Sequence, residues 1–195
     1  MTRLVGLAAS HAVPFEGLTS CGDAAVVAQA EGVQLFAGID GLGHGPDAEK
    51  SALAVAQVVR DAAAAPLSEV FARAHGALAG LRGAVMSAIR LHDGVATFAG
   101  VGNVEVFGPE GCARPVSMPG TLGSGRYRFR EFPLSVSAGQ RWVLASDGVH
   151  PKAMTAALKL FAQRPVAQAV VELVGLVGRS NDDVCAVLIE LQESP

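Results

Sequence analysis

The chain has 195 residues, half of them hydrophobic and 17% charged, with a formal net charge of −3. That is enough chain to bury the core of one domain spanning 1–195, and too apolar a composition for disorder. No Lys/Arg cluster occurs, which argues against a nucleic-acid partner, and aromatics are scarce, so Ala, Val, Leu and Gly must fill the core.

Short apolar runs rich in Val and Ile alternate with turns, and each reads as a strand: 3–9, 24–30, 33–39, 84–91, 94–101, 103–107, 128–136, 140–146 and 184–191. The first of them, Leu4–Ala9 behind Arg3, is shorter than the roughly 7–15 apolar residues of a signal-peptide core, so a strand is the better reading. A helix is predicted from Pro46, a good first helical residue, to about Ala64, ahead of Pro66, and a second over about 67–79. A second helical pair, about 151–162 and 165–177, is divided at Pro165. The stretch from Gly108 to Arg130, rich in Gly, Pro, Ser and Arg, reads as a long surface loop. Two helical pairs among many strands predict antiparallel sheet with helices on its faces, an α+β layered domain.

Nothing reaches the ~18 uninterrupted apolar residues of a membrane span, and no membrane partner is expected. Cys21, Cys112 and Cys185 are widely spaced and form no CxxC pair, so neither a zinc site nor a disulfide framework is indicated and reduced, cytoplasmic thiols are expected. No heptad or exposed helical seam calls for a dimer, and a monomer is expected.

Acids sit at the ends of several predicted strands. Asp40 closes the run Leu35–Ile39 and is followed by Gly41-Leu42-Gly43-His44-Gly45; Asp147 closes Trp142–Ser146 and is followed by Gly148. In mirror image, Asp23 opens Ala24–Val27 and Asn181-Asp182-Asp183 opens Val184–Ile189. If Glu31-Gly32 closes a two-residue hairpin, paired residue numbers sum to 63, and Asp23 falls opposite Asp40 on the same face. At ~4 Å and an effective dielectric of ~20, two such charges repel by about 4 kcal/mol. A sequence keeps the pair only if a cation neutralises it or one acid stays protonated. If the strands of Asp147 and Asp182 are antiparallel neighbours, these acids share one sheet edge too.

Four hard oxygen donors without His or Cys partners suit Mg²⁺ or Mn²⁺ rather than zinc, with a backbone carbonyl such as that of Gly41 and several waters completing each shell. Two ions about 3.5–4 Å apart generate a bridging hydroxide at neutral pH, the chemistry of phosphate-ester hydrolysis.

Plainer readings exist for each feature. A single Asp-Gly pair commonly closes a turn. The Gly41–Gly45 loop lacks GxGxxG spacing, and its preceding acid would repel a pyrophosphate. His44 and His150 flank the acidic loops as surface histidines would, and Cys21 beside Asp23 is either a small packing residue or redox-sensitive. Arg126-Tyr127-Arg128-Phe129-Arg130 is either a docking surface for an acidic or phosphorylated partner or a strand with a solvated basic face.

Asp40-Gly41-Leu42-Gly43-His44-Gly45, Ser146-Asp147-Gly148-Val149 and Asn181-Asp182-Asp183-Val184, in that order, resemble the signature of the metal-dependent PP2C-type (PPM) serine/threonine phosphatases. The form is most similar to their bacterial SpoIIE/RsbU/RsbX branch, whose connecting motifs Gly100-Val101-Gly102-Asn103 and Pro119-Gly120-Thr121-Leu122-Gly123 also resemble. The resemblance runs from about Asp23 to Leu191. It implies an α-β-β-α sandwich of two antiparallel sheets flanked by helical pairs, with two Mn²⁺ or Mg²⁺ ions between the sheets. Carried over motif by motif, Asp40 would bridge the ions, Gly41 would offer its carbonyl, and Asp23 would lie on or near the first ion. Asp147 and Asp182 would hold the second, with Asp40 and Asp147 as the acids on which turnover depends. Asp183 would stand behind them as a supporting or capping acid.

With no room for a sensor domain, the resemblance points to a stand-alone stressosome phosphatase of that branch, acting on phosphoserine or phosphothreonine of a STAS-domain protein. Two departures stand out. Leu42 takes the place of the histidine that follows the first Asp-Gly in eukaryotic members, leaving His44 two residues late, and no arginine lies just upstream of Asp23. The alternatives are a non-catalytic regulatory binding module with the same fold, or a phosphatase of small molecules.

Overall fold

Strands β1 (Arg3–Val13), β2 (Asp23–Ala30) and β3 (Val33–Gly41) precede helices α1 (Pro46–Asp61) and α2 (Leu67–Ala77). Then come β4 (Ala84–His92), β5 (Val95–Val101), β6 (Glu105–Phe107), β7 (Glu131–Leu134) and β8 (Arg141–Ala145). Helices α3 (Pro151–Leu160) and α4 (Val166–Val177) lead into β9 (Val184–Ser194). The computed structural model describes residues 3–124 and 127–194.

The strands form two antiparallel sheets, one in the order β2-β3-β4-β5-β7 and the other β1-β9-β8-β6. The alternation of side chains across each strand builds three layers of core. On β3, Leu35, Ala37 and Ile39 pack with Val55, Val59, Val70 and Phe71 of α1 and α2. Phe36 points the other way and meets Trp142, Leu144, Val187 and Ile189 of the second sheet. Val143, Ala186 and Leu188 then face Val170, Leu173 and Val174 of α4. Each central strand is covered on both faces, which is why its sequence is a continuous apolar run rather than an alternating one. The result is the α-β-β-α sandwich implied by the resemblance.

The hairpin turn is built as its sequence predicts. Glu31 and Gly32 both have positive φ, 50° and 75°. That is the two-residue turn whose twist matches the flanking strands, and it fixes the register in which Ala30 faces Val33 and Asp23 faces Asp40.

The predicted strand at 128–136 shrinks to Glu131–Leu134. It is the sheet's edge, and Pro133 has no N–H to extend a ladder further. The first and last strands of the chain are longer than predicted, because β1 and β9 pair without interruption from Arg3 opposite Ser194 to Val13 opposite Val184. Helix α1 stops at Asp61, short of the predicted Ala64, and the chain turns through an Ala65 N–H to Ala62 carbonyl bond. Among the described residues, Gly108–Arg130 holds no regular element and is fastened at Ala84–Leu122 and Val101–Met118. No helix among the described residues is long and apolar enough to cross a membrane.

Candidate metal centre

Asp40 is the penultimate residue of β3 and Asp23 the first residue of β2, so the hairpin register brings the two carboxylates to one rim. In the other sheet β8 and β9 are antiparallel neighbours with Ala145 opposite Ala186. The exit of β8, which carries Asp147, and the entry to β9, which carries Asp182, therefore share one edge. The sheets are clamped there by the buried Cys185, whose thiol faces the Ile39 carbonyl at 3.6 Å and whose N–H donates to the Ser146 hydroxyl at 3.0 Å.

Electrostatics record the convergence. Burial, then the Asp40 charge, pushes Asp23 up from 3.8 to about 8, with the Ser146 hydroxyl acting in the opposite direction. Burial, then Asp147, Asp182 and Asp183, raises Asp40 to about 7. Asp182 is also raised, by burial and then by Asp147. Carboxylates from both sheets thus act on one another across a single cleft. Asp23 is only 6% exposed, and its Oδ2 is buried without a hydrogen-bond partner. A buried, unpartnered carboxylate oxygen carries a large desolvation cost unless a proton or a cation meets it.

The carboxylates are aimed by their surroundings. Asn103 donates through Nδ2 to Asp147 Oδ2 at 2.6 Å. Asp183, 3% exposed, accepts the Phe15 N–H at 2.8 Å and the Gly22 N–H at 3.0 Å, fixing the chain just before Asp23. Asp182 Oδ1 accepts the Asp183 N–H at 3.0 Å, and Asp182 is left at the rim. Two glycines permit the close approach. A Cβ on Gly41 would stand 2.2 Å from the Ala48 carbonyl oxygen of α1, and one on Gly148 would stand 2.0 Å from the Asp183 carbonyl oxygen.

No family model matches the chain. Among curated proteins it is 25% identical over 140 residues to the phosphoserine phosphatase RsbX of Bacillus subtilis (strain 168), covering 69% of this chain and 70% of that one. RsbX in complex with magnesium superposes with a TM-score of 0.81 over the whole of both chains at 21% identity. A structure described as the bacterial stressosome, a modular system adapted to control secondary messenger signaling, gives a TM-score of 0.83 at 29% identity, over 97% of this chain and 100% of that one. The catalytic domain of the serine threonine protein phosphatase PstP with two manganese ions gives 0.71 at 15% identity, over 97% and 99%.

The fold is that of the PP2C-type protein phosphatases. Protein serine/threonine phosphatase is the enzyme class these relatives support, as the sequence resemblance implied.

Within this PP2C-type fold, Asp23, Asp40, Asp147 and Asp182 converge at one rim, with Gly41 next to Asp40 and the buried Asp183 behind them. Among the described residues no three His, Cys, Asp or Glu side chains gather into a ready-made cage for an ion. That geometry fits Mg²⁺ or Mn²⁺, which take one or two protein carboxylates each and keep several waters, better than an ion that needs an all-protein shell. The hard oxygen donors and the orphaned Asp23 oxygen fit such ions as well.

Other sequence candidates separate from the cleft. His44 is exposed, its ring 6.1 Å from that of Phe15, and among the described residues no hydrogen bond or ion pair ties it to an acid. His150 is exposed, and its N–H is tied to the Val177 carbonyl. The Cys21 thiol is pushed up to about 12, chiefly by burial, so it is not the reactive thiolate that redox sensing requires. Of the basic run 126–130, Arg126 lies outside the described residues, while Arg130 stacks over Phe132 at 4.9 Å and Phe129 tilts against Phe71. Sequence reasoning gave no role to Asn103. Its signal was the turn at Gly102, φ 96°, which presents the following side chain towards the β8 exit.

Proposed function

We propose that the chain is a divalent-metal-dependent protein phosphatase that hydrolyses phosphoserine or phosphothreonine on a STAS-domain component of a bacterial stressosome. The observation that carries the reading is the opposed pair Asp23 and Asp40, joined at one rim by Asp147 and Asp182 from the second sheet. The likeness to RsbX and to a chain from a stressosome structure supports the substrate class.

Two divalent ions held by Asp23, Asp40, Asp147, Asp182 and the Gly41 carbonyl would supply Lewis acidity and an activated water for attack on phosphorus. The protein's own part is positioning. Asn103 orients Asp147, Asp183 pins the entry of β2 through two backbone amides, and the rigid hairpin register holds Asp40 between the two sheets. Neither Ser146 nor Cys185, the hydroxyl and thiol packed behind the acids, is free to form a phosphoenzyme. Ser146 is 1% exposed and its hydroxyl is occupied by the Cys185 amide, and Cys185 itself is buried. Displacement by water in a single in-line step follows, with positioning and charge neutralisation supplying most of the rate.

A binding module without catalysis would gain nothing from keeping mutually repelling acids at one rim. The test is dephosphorylation of a phosphorylated STAS-domain protein and of p-nitrophenyl phosphate, with Mn²⁺ or with EDTA. Metal-dependent turnover of both supports the reading; turnover of the small ester alone would move the substrate to a phosphorylated metabolite. Turnover of neither would remove the enzyme.

A further inference from the structure

A phosphate monoester entering this cleft brings two negative charges to a rim already lined by four carboxylates. Many phosphatases answer with an arginine, but the segment Leu18–Gly22 ahead of Asp23 contains none. Two other arginines approach the site from later in the chain. Arg82 comes within 3.1 Å of where a Cβ on Gly43 would be, but it is ion-paired to Asp47 at 3.3 Å. Arg179 is different. Its segment pairs in antiparallel fashion with the one that follows Asp147: the His150 N–H donates to the Val177 carbonyl at 2.7 Å, Val149 bridges Gly178, and the Arg179 N–H donates to the Gly148 carbonyl at 2.8 Å. This short ladder fixes the Arg179 backbone beside Gly148, next to Asp147 and three residues before Asp182. The Arg179 residue is exposed, and its guanidinium forms no ion pair among the described residues.

We propose that Arg179 is the substrate-positioning residue of this site, its guanidinium binding the non-bridging oxygens of the substrate phosphoryl group from the second sheet, in place of the arginine missing before Asp23. This rests on the phosphatase reading above. The planar fork of five donors matches a phosphate and exceeds what an ammonium offers, so lysine should replace it only in part. A positive charge beside Asp182 opposes binding of a cation. Its removal therefore leaves the Mn²⁺ requirement unchanged or lower, whereas loss of phosphate contacts raises KM.

The experiment compares wild type, Arg179→Ala and Arg179→Lys at saturating Mn²⁺. It measures kcat and KM for p-nitrophenyl phosphate, the Mn²⁺ concentration for half activation, and the affinity of the Mn²⁺-supplied protein for inorganic phosphate by calorimetry. The expected result for Arg179→Ala is a KM raised about ten- to a hundredfold, phosphate affinity lowered by a similar factor, an unchanged melting temperature and no higher Mn²⁺ requirement. Arg179→Lys recovers part of the loss. Unchanged KM and phosphate affinity would overturn the proposal, as would a loss wholly restored by more Mn²⁺. Wild-type protein that turns over no ester yet binds phosphate through Arg179 would sink the phosphatase reading and leave the anion contact standing.

Discussion

Asp23 and Asp40 stand directly opposite each other across the β2–β3 hairpin, Cα against Cα, in the register that also opposes Ala24 to Ile39 and Ala30 to Val33. Like charges in that position cost stability, and the surroundings make the cost larger by excluding water from Asp23. A cation or a proton relieves it. In metal-free buffer Asp40→Asn is therefore expected to stabilise the fold, by at least about 1 kcal/mol, or roughly 2–4 °C in melting temperature. Thermal melts in EDTA at neutral pH check this, and a variant that melts below wild type would contradict it.

The same pair makes metal-free stability depend on pH. Folded Asp23 and Asp40 hold their protons to about 8 and about 7, against an ordinary 3.8. The folded state thus binds more protons than the unfolded chain from about pH 4 to about pH 8, so its stability falls as pH rises through that window. Glu190, whose carboxyl is held below its ordinary range by Gln192 and Arg141, acts only at the acid end. Melting in EDTA is expected to be higher at pH 5 than at pH 8.5, with added Mn²⁺ raising it most at pH 8.5. Equal melting points at the two pH values would contradict this account.

Asp182 and Asp183 are adjacent in sequence and opposite in role. Asp183 is buried and holds two backbone amides, so Asp183→Ala leaves them unpaired and is expected to cost about 3 kcal/mol or more. Asp182 lies at the rim, and Asp182→Asn is expected to remove turnover with the melting temperature nearly unchanged. Melts and rates for the two variants side by side decide it; the reverse assignment of effects would exchange their roles.

Among the described residues, the Asn103 side chain is hydrogen-bonded to Asp147 alone. Asn103→Ala is expected to lower kcat several-fold, up to about tenfold for the loss of one charge-assisted hydrogen bond, without affecting the melting temperature. A kcat equal to wild type would show that Asp147 needs no such orientation.

Gly41→Ala and Gly148→Ala each place a methyl within 2.2 Å of a carbonyl oxygen that belongs to another element. Either the helix α1 or the β9 entry must shift, at about 1–3 kcal/mol or more, and the carboxylates shift with it. Reduced melting temperature together with weakened Mn²⁺ binding is expected, and a fully stable, fully active variant would contradict the close packing.

Much of this was legible in the residues themselves. The hairpin register follows from Glu31-Gly32 and simple counting, and the apolar runs on both sides announce strands buried on two faces. The Asp-Gly steps at Asp40 and Asp147 mark where strands end in a carboxylate and a turn. What the sequence could not show is the pairing between distant segments. That β8 lies beside β9, that Asn103 reaches Asp147, and that the Asp183 carboxylate ties Phe15 to Gly22 all depend on contacts across dozens of residues. The edge strand β7 was overextended because polar and apolar residues alternate around it as in a strand, while Pro133 and its edge position limit its ladder.

The most direct test of the account is Mn²⁺ binding by calorimetry together with turnover of p-nitrophenyl phosphate, for wild type and Asp40→Asn, each shown folded by its melting curve. Wild-type protein that binds Mn²⁺ and turns over only when it is present, beside a folded variant that loses both, is the result the account requires. Turnover in EDTA, or undiminished turnover by Asp40→Asn, would contradict it.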